Sequence, residues 1–380
     1  MTSASSLIPR SRIIAVFLCV LACLMGLLTV SIYRTYQHRY YGTHYNSSAL
    51  NLDPSSTATL AGINKQQIST KRTSFPFTIV TGSSANHLCS LENFLYSLHE
   101  LRPDIEPDQF PRIAVYNIGM NRTQLPILDQ LREHNLIDDL ITFDHERYPR
   151  FWDVAIDAGQ YGWKTGIVND ARVRYGGILV WLDAGNQVTK EFILNIANTI
   201  RDDYHGFWSP KSAFGMGTWT HRGMFKFFGA DYKKYRYKSN CNGAAVGFDT
   251  DNSTIVNTMI IPWFECGLQK NCIAPPGSSR KNHRQDQAAL TYLAYFNGHD
   301  CTVPPREFFK LQTHRDVACR STLMQLDLQN KLHHPSTIDS PKWERVDTEA
   351  LYNHPEWKYP ANGVPWMENA FYLKMADPYE

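Results

Sequence analysis

The sequence lacks most of the signatures that would assign a chain quickly. No G-x-G-x-x-G fingerprint follows its first strand-like segment, which counts against a dinucleotide-dependent dehydrogenase. No G-x-S-x-G elbow is present to support an α/β-hydrolase. No C-x-x-C pair occurs among the cysteines beyond residue 33, so a cysteine-built zinc site is not expected. No repeat at solenoid spacing is visible. The formal net charge of +2 argues neither for nor against nucleic acid, and no long basic run follows the first residues, so no nucleic-acid partner is expected.

What is present is ample material for a core. The chain has 380 residues, 43% of them hydrophobic and 19% charged, enough for one large domain or two. Residues 13–33 are uncharged, mostly apolar and long enough to cross a bilayer as one helix. Arg10 and Arg12 precede this run, and Arg34 and Arg39 follow it, so charge gives little help with orientation. The sequons at Asn46, Asn121 and Asn252 all lie on its carboxyl-terminal side, as expected if that side is lumenal. A cleaved signal peptide, with Thr29 and Ser31 as small residues near a cut, is the competing reading; the length of the run favours an uncleaved anchor. Cys89, Cys241, Cys266, Cys272, Cys301 and Cys319 form an even set on the proposed oxidising side, and only Cys266 with Cys272 is close enough in sequence to suggest a pair.

The predicted layout is a cytoplasmic tail at 1–12, an anchor at 13–33, a solvated stem at 34–74, a folded domain at 75–325 and an extended carboxyl-terminal extension at 326–380. Within the domain, strand-like runs begin near residues 75, 112 and 140, each of the first two followed by an amphipathic helix pattern. Leu88, Leu91, Leu95, Leu98 and Leu101 mark the buried side of the first helix. Trp163, Ile167, Ala171 and Tyr175 mark a later one, stopped by Gly176 and Gly177. The five apolar residues at 178–182 then suit a fully buried strand. The β-α-β-α-β order predicts an α/β fold, a mostly parallel sheet flanked by helices. Further strands are expected at 206–209 and 242–248, with an aromatic, basic stretch from His221 to Lys238 between them, and helices near 253–270 and 284–297.

Asp183 falls where the 178–182 strand ends, and ligands of open α/β sheets collect beyond the carboxyl ends of the strands. An aspartate there either holds a metal or polar ligand, or starts a turn. Ser83, Ser84 and Asn86 lie between the first strand and its helix, a ready place for a phosphate or ribose and equally for a helix cap.

Four stretches carry a resemblance: Ile79-Val-Thr-Gly-Ser-Ser-Ala-Asn-His, Val115-Tyr-Asn-Ile-Gly, Tyr161-Gly-Trp-Lys, and Tyr175-Gly-Gly-Ile-Leu-Val-Trp-Leu-Asp-Ala-Gly-Asn. With them the chain resembles GT-A-type nucleotide-sugar glycosyltransferases, and in detail an uncharacterised eukaryotic family of membrane-anchored, type II glycosyltransferase-like proteins. The resemblance implies a GT-A-like fold and transfer of a sugar from a nucleotide-diphosphate donor to a lumenal glycan, protein or lipid. It implies a Golgi or endoplasmic-reticulum membrane location. It places Thr81, Ser83, Ser84, Asn86 and Lys164 at the donor, with Asp183 as the first carboxylate of a D-x-D motif on Mn²⁺ or Mg²⁺. Glycine at 185 replaces the second carboxylate, and Asn186 could supply an amide oxygen instead. Asn242, Asp286 and Gln287 resemble residues near the reacting sugar, and His314 a carboxyl-terminal metal ligand. Each has a plainer reading: Asn242 a turn, Asp286 a helix-start carboxylate, His314 a surface residue, Lys164 a solvated cation. Two rival functions stay open, a non-catalytic member of the fold that binds glycans or partners, and a surface-anchored adhesion protein.

Overall fold

The computed structural model describes residues 75–316 and 319–332. The expected anchor at 13–33, the stem at 34–74 and most of the 326–380 extension lie outside the described residues. Among the described residues no helix is long and apolar enough to cross a membrane.

The first three strands follow the predicted order: β1 (Thr78–Ser84), β2 (Arg112–Gly119) and β3 (Asp139–Thr142), with helices α1 (Leu88–Leu101) and α2 (Leu125–Glu133) between them. Helix α3 (Gly162–Tyr175) leads into β4 (Ile178–Leu182), followed by α4 (Lys190–Asn198). Gly176 and Gly177, at φ +62° and +63°, make the reversal that joins α3 to β4, a conformation that suits glycine. Then come β5 (Phe207–Trp208), β6 (Lys211–Gly215), β7 (Ser239–Cys241) and β8 (Ala245–Asp249), and the later helices α5 (Ile261–Leu268), α6 (Gln285–Phe296) and α7 (Cys319–Leu328).

The main sheet has the order β3-β2-β1-β4-β8-β5. Strands β3, β2, β1 and β4 run parallel, whereas β8 lies antiparallel between β4 and β5. Alternation along each central strand feeds two cores. Ile79, Val115 and Val180 enter a cluster with Leu91, Leu95 and Phe192, while Val80, Tyr116 and Trp181 enter another with Ile167, Trp263 and Leu290. Because helices cover both faces, all five residues of β4 are buried, which is why that segment reads as an unbroken apolar run.

Three departures from the sequence reading have local causes. β1 begins three residues later than the expected start near 75, because Phe75-Pro76 precedes the ladder, which pairs with β2 from Thr78 through Ser84. The ribbon of β6 and β7 was not visible, since β6 is largely exposed and shows no apolar alternation. Helix α7 runs through the expected 325/326 boundary, held on α1 by the Cys89–Cys319 disulfide. Cys266–Cys272 forms as its spacing suggested, and Cys241–Cys301 is the third bridge.

Candidate active site

β1 is flanked by β2 on one side and β4 on the other, so the chain turns back across the sheet at β1 and β4. The crevice beyond their carboxyl ends is the topological switch point, where such sheets place ligands. Asp183 stands there, immediately after β4, and its amide donates to Ala244 O at 2.9 Å. That bond fastens the end of β4 to the turn entering β8.

Lys164 reaches the same point from the first turn of α3. Its Nζ lies 2.9 Å from Asp183 Oδ1, 2.9 Å from Gly243 O and 3.2 Å from Asp286 Oδ2. The last contact is an ion pair too oblique for a directed hydrogen bond. With only 4% of its side chain exposed, this lysine is not a solvated cation. An ammonium has three hydrogens, and these three oxygens surround it. Trp181 adds a hydrogen bond from Nε1 to Asp183 Oδ1 at 2.6 Å, and its ring lies 5.1 Å from Lys164 Nζ.

Burial alone would push the Lys164 ammonium toward neutrality, but the charges of Asp183 and then Asp286 outweigh it and hold its pKa above the ordinary lysine value. Burial likewise raises Asp183, yet the Lys164 charge, the bonds from Lys164 and Trp181 and a smaller pull from His314 leave its carboxyl below the usual range. For Asp286 burial wins, and with the Asp183 charge added its pKa is raised despite Lys164. The trio thus keeps one firmly ionised carboxylate and one that ionises reluctantly.

The lysine and Asp286 are delivered by unusual backbone. Asp157, Ala158, Gln160 and Tyr161, with Gly159 among them, all have positive φ and form a left-handed turn before α3. Gln285, at φ +27°, precedes Asp286, and its Nε2 donates to Gln160 Oε1 at 3.4 Å. Such residues cost on the order of 1–3 kcal/mol each and persist only where their surroundings impose them. Trp152 is one such constraint. Its buried ring fills the space beside Gly162 and Gly166, where any side chain would collide with it, and its Nε1 donates to Gly267 O at 2.7 Å.

The remaining expected residues divide into those at this point and those elsewhere. Gly243 lies against Asp286 and Gln287, so the Asn242-Gly243-Ala244 turn and the start of α6 do meet. Asn242 itself is buried, and its Oδ1 accepts from Ala244 N at 2.9 Å within that turn. Ser84 donates to Asn86 Oδ1 at 2.7 Å, and the buried Ser83 Oγ contacts Ser84 O, so this loop is internally bonded. Thr81 Oγ1 has no hydrogen-bond partner among the described residues. The residue is fully buried within β1, on the side of the strand shared with Ile79. His314 is exposed and within electrostatic reach of Asp183.

Gly185 has a physical reason. A Cβ there would run into the carboxylate of Asp316, which lies directly over the glycine. The segment carrying His314 and Asp316 is fixed across this stretch by Arg315 N to Gly185 O at 2.7 Å and by the paired bonds of Gln187 and Gln312. Asn186 is buried, with Nδ2 on Ala244 O at 2.6 Å and Oδ1 lacking a partner among the described residues. Sequence reasoning missed Trp181 and Asp316. The first read as one apolar strand residue among five; the second stands two residues after His314, a His-x-Asp spacing that could have drawn attention.

Among the described residues no group of three or more His, Cys, Asp or Glu forms a cage for a metal ion. Mg²⁺-type cations in phosphate-handling sites need less, one or two carboxylates with water and substrate phosphates supplying the rest. Asp183 fits that minimal requirement. Both of its hydrogen bonds fall on Oδ1, its side chain is 37% exposed, and its lowered pKa keeps it ionised.

Neither a search of protein-family models nor one of curated proteins matched the chain. Solved structures with a similar arrangement include the bifunctional glycosyltransferase WbbM, at 13% identity over 61% of this chain and 39% of that one, TM-score 0.38. The mannosyltransferase PcManGT from Pyrobaculum calidifontis, solved with GDP-Man and Mn²⁺, is similar at 12% identity over 80% of this chain and 81% of that one, TM-score 0.37. Mouse xyloside xylosyltransferase 1 is similar at 12% identity over 60% of this chain and 84% of that one, TM-score 0.35. The chain thus spans about two fifths of WbbM, and all three structural neighbours are glycosyltransferases.

Proposed function

We propose that this chain is a glycosyltransferase that moves a sugar from a nucleotide-diphosphate donor to a lumenal glycan, protein or lipid acceptor. The observation that carries the reading is the Asp183–Lys164–Asp286 trio, in which buried Lys164 and Asp286 meet a part-exposed Asp183 at the switch-point crevice of an α/β sheet. In this reading the donor lies across the ends of β1 and β4. An acceptor hydroxyl oxygen bonds to the anomeric carbon as the bond from that carbon to the diphosphate breaks. The diphosphate departs with the electron pair, and the hydroxyl proton leaves on it.

Asp183 with His314 would hold Mn²⁺ or Mg²⁺, which when bound supplies positive charge to the leaving diphosphate. Lys164 holds Asp183 ionised and, through Gly243 O, fixes the Asn242–Ala244 turn against α6. Asp286 and Gln287 border the acceptor side. The compartment is the Golgi or endoplasmic-reticulum lumen, with the chain anchored once through residues 13–33; three disulfides suit that oxidising environment.

A non-catalytic binding role is the second reading, favoured by glycine at 185 and by the burial of Lys164 among protein oxygens. Titration calorimetry of nucleoside diphosphates and their sugars, with and without Mn²⁺, together with a transfer assay, separates the two. Asp183→Asn nearly preserves volume but removes the main charge facing the buried Lys164 ammonium, so it should lower the melting temperature while leaving a cooperative fold, and should lose Mn²⁺-supported nucleotide binding. Turnover should fall by about two orders of magnitude or more, since a lost charge contact of several kcal/mol is being asked of the transition state. Unchanged metal-supported transfer would remove Asp183 from the mechanism.

A further inference from the structure

The stretch from β6 to β7 is left unused by the site. Residues 211–238 carry seven Lys or Arg side chains against one acidic residue, Asp231. All seven are exposed. None forms an ion pair with a described residue, although Arg112, Arg132, Arg174, Arg201 and Lys331 elsewhere do. Asp231, whose Oδ1 accepts from Lys233 N at 2.9 Å at the start of a short helix, offsets only one of the seven. So many unneutralised like charges repel one another, and a facing anion would relieve that cost.

The cations are interleaved with aromatic rings, of which Tyr237 and Phe214 are the most open. Arg222 lies 4.9 Å over Tyr232 and Arg236 4.4 Å over Tyr237, which is 82% exposed. Phe214, 67% exposed, meets Trp219 edge-on at 5.4 Å. The face is continuous, because Met216 N binds Lys238 O and Gly217 N binds Arg236 O across the ribbon, each at 2.9 Å. It also adjoins the proposed reaction centre. Trp219 O accepts from Arg284 N at 3.0 Å, and the Arg284 guanidinium lies 4.0 Å over the Trp219 ring, two residues before Asp286.

Flat rings beside unpaired cations match the two surfaces of an acidic sugar, an apolar C–H face and a charged substituent. We propose that the 211–238 face binds an acidic glycan chain, bearing sulfate or uronate groups, as the acceptor whose end is presented beside Asp286. This rests on the transferase reading for its catalytic meaning, but the binding can be tested independently.

The probe is a fluorescent sulfated uronate hexasaccharide, set against the same backbone desulfated and carboxyl-reduced, titrated into the full-length, detergent-solubilised protein. Nucleoside diphosphate binding is measured on the same samples. The sulfated probe should bind at least tenfold more tightly than the neutral one. Arg236→Gln with Lys238→Gln should weaken it about tenfold, two surface charges being lost, without changing nucleotide binding or melting temperature. Arg132→Gln with Lys331→Gln removes equal charge on other elements and should leave the affinity in place. Equal binding of the neutral probe, no binding of the sulfated one, or an equal loss in both double variants would each overturn the proposal. Sulfated-probe binding lost only in the first double variant, by a protein that binds no nucleotide, would support the glycan face while removing the transferase reading.

Discussion

His283 should set an acid limit on the fold whose size follows from its surroundings. The ring is fully buried in the loop that leads to Asp286. Its Nδ1 lies 3.2 Å from His221 N and its Nε2 2.9 Å from Ile273 O, so the partners demand the neutral form with the proton on Nε2. Protonating Nδ1 would bury a charge and replace an acceptor facing an amide N–H with a donor. Burial, with the His221 charge adding, accordingly pulls the pKa down from 6.5 to about 4 despite the Ile273 carbonyl. A depressed folded pKa means the unfolded chain binds the proton first. The contribution is therefore complete above pH 6.5 and is lost as pH falls toward 4. Linkage gives a loss of about 2 kcal/mol between pH 7.5 and pH 5, and about 3 kcal/mol by pH 4. For a domain of this size, 2 kcal/mol corresponds to a melting temperature lower by about 4–8 °C. Asp286 has the opposite sign, its raised pKa favouring the fold at low pH and withdrawing that help as pH rises through it. The readout is therefore a difference, urea unfolding of wild type and His283→Gln with disulfides intact at pH 7.5, 6 and 5. The variant starts less stable because it loses hydrogen bonds, and its deficit should shrink by about 2 kcal/mol at pH 5. A deficit that stays constant with pH would refute the reasoning.

Other consequences follow from the same geometry. Lys164→Met leaves Asp286 buried without its cation and should cost about 3–5 kcal/mol, with much of the loss recovered by adding Asp286→Asn; thermal unfolding of the single and double variants checks it. Gly185→Ala drives a methyl against the Asp316 carboxylate, the movable end of a part-exposed side chain, and should destabilise by about 1 kcal/mol or less, with Asp316→Ala in the same chain restoring most of that. For the topology, protease added to sealed microsomes should leave the carboxyl-terminal region intact, and its digestion there would reverse the proposed orientation.

The sequence alone determined the order of the central elements. Periodicity is a local property, so the helix faces of Leu88–Leu101 and Trp163–Tyr175 and the buried run at 178–182 could be read from spacing. Asp183 could be placed at a strand end for the same reason. What surrounds Asp183 came only from tertiary structure. Lys164 is 19 residues away and Gly243 is 79 residues from Lys164, and nothing local says that one ammonium would join them. The Cys89–Cys319 bridge spans 230 residues and was likewise illegible. Gly185 makes the division plain. In the sequence it is a missing carboxylate; in the fold it is the space into which Asp316 fits, because chain segments far apart compete for the same volume and only packing decides which side chain fills it.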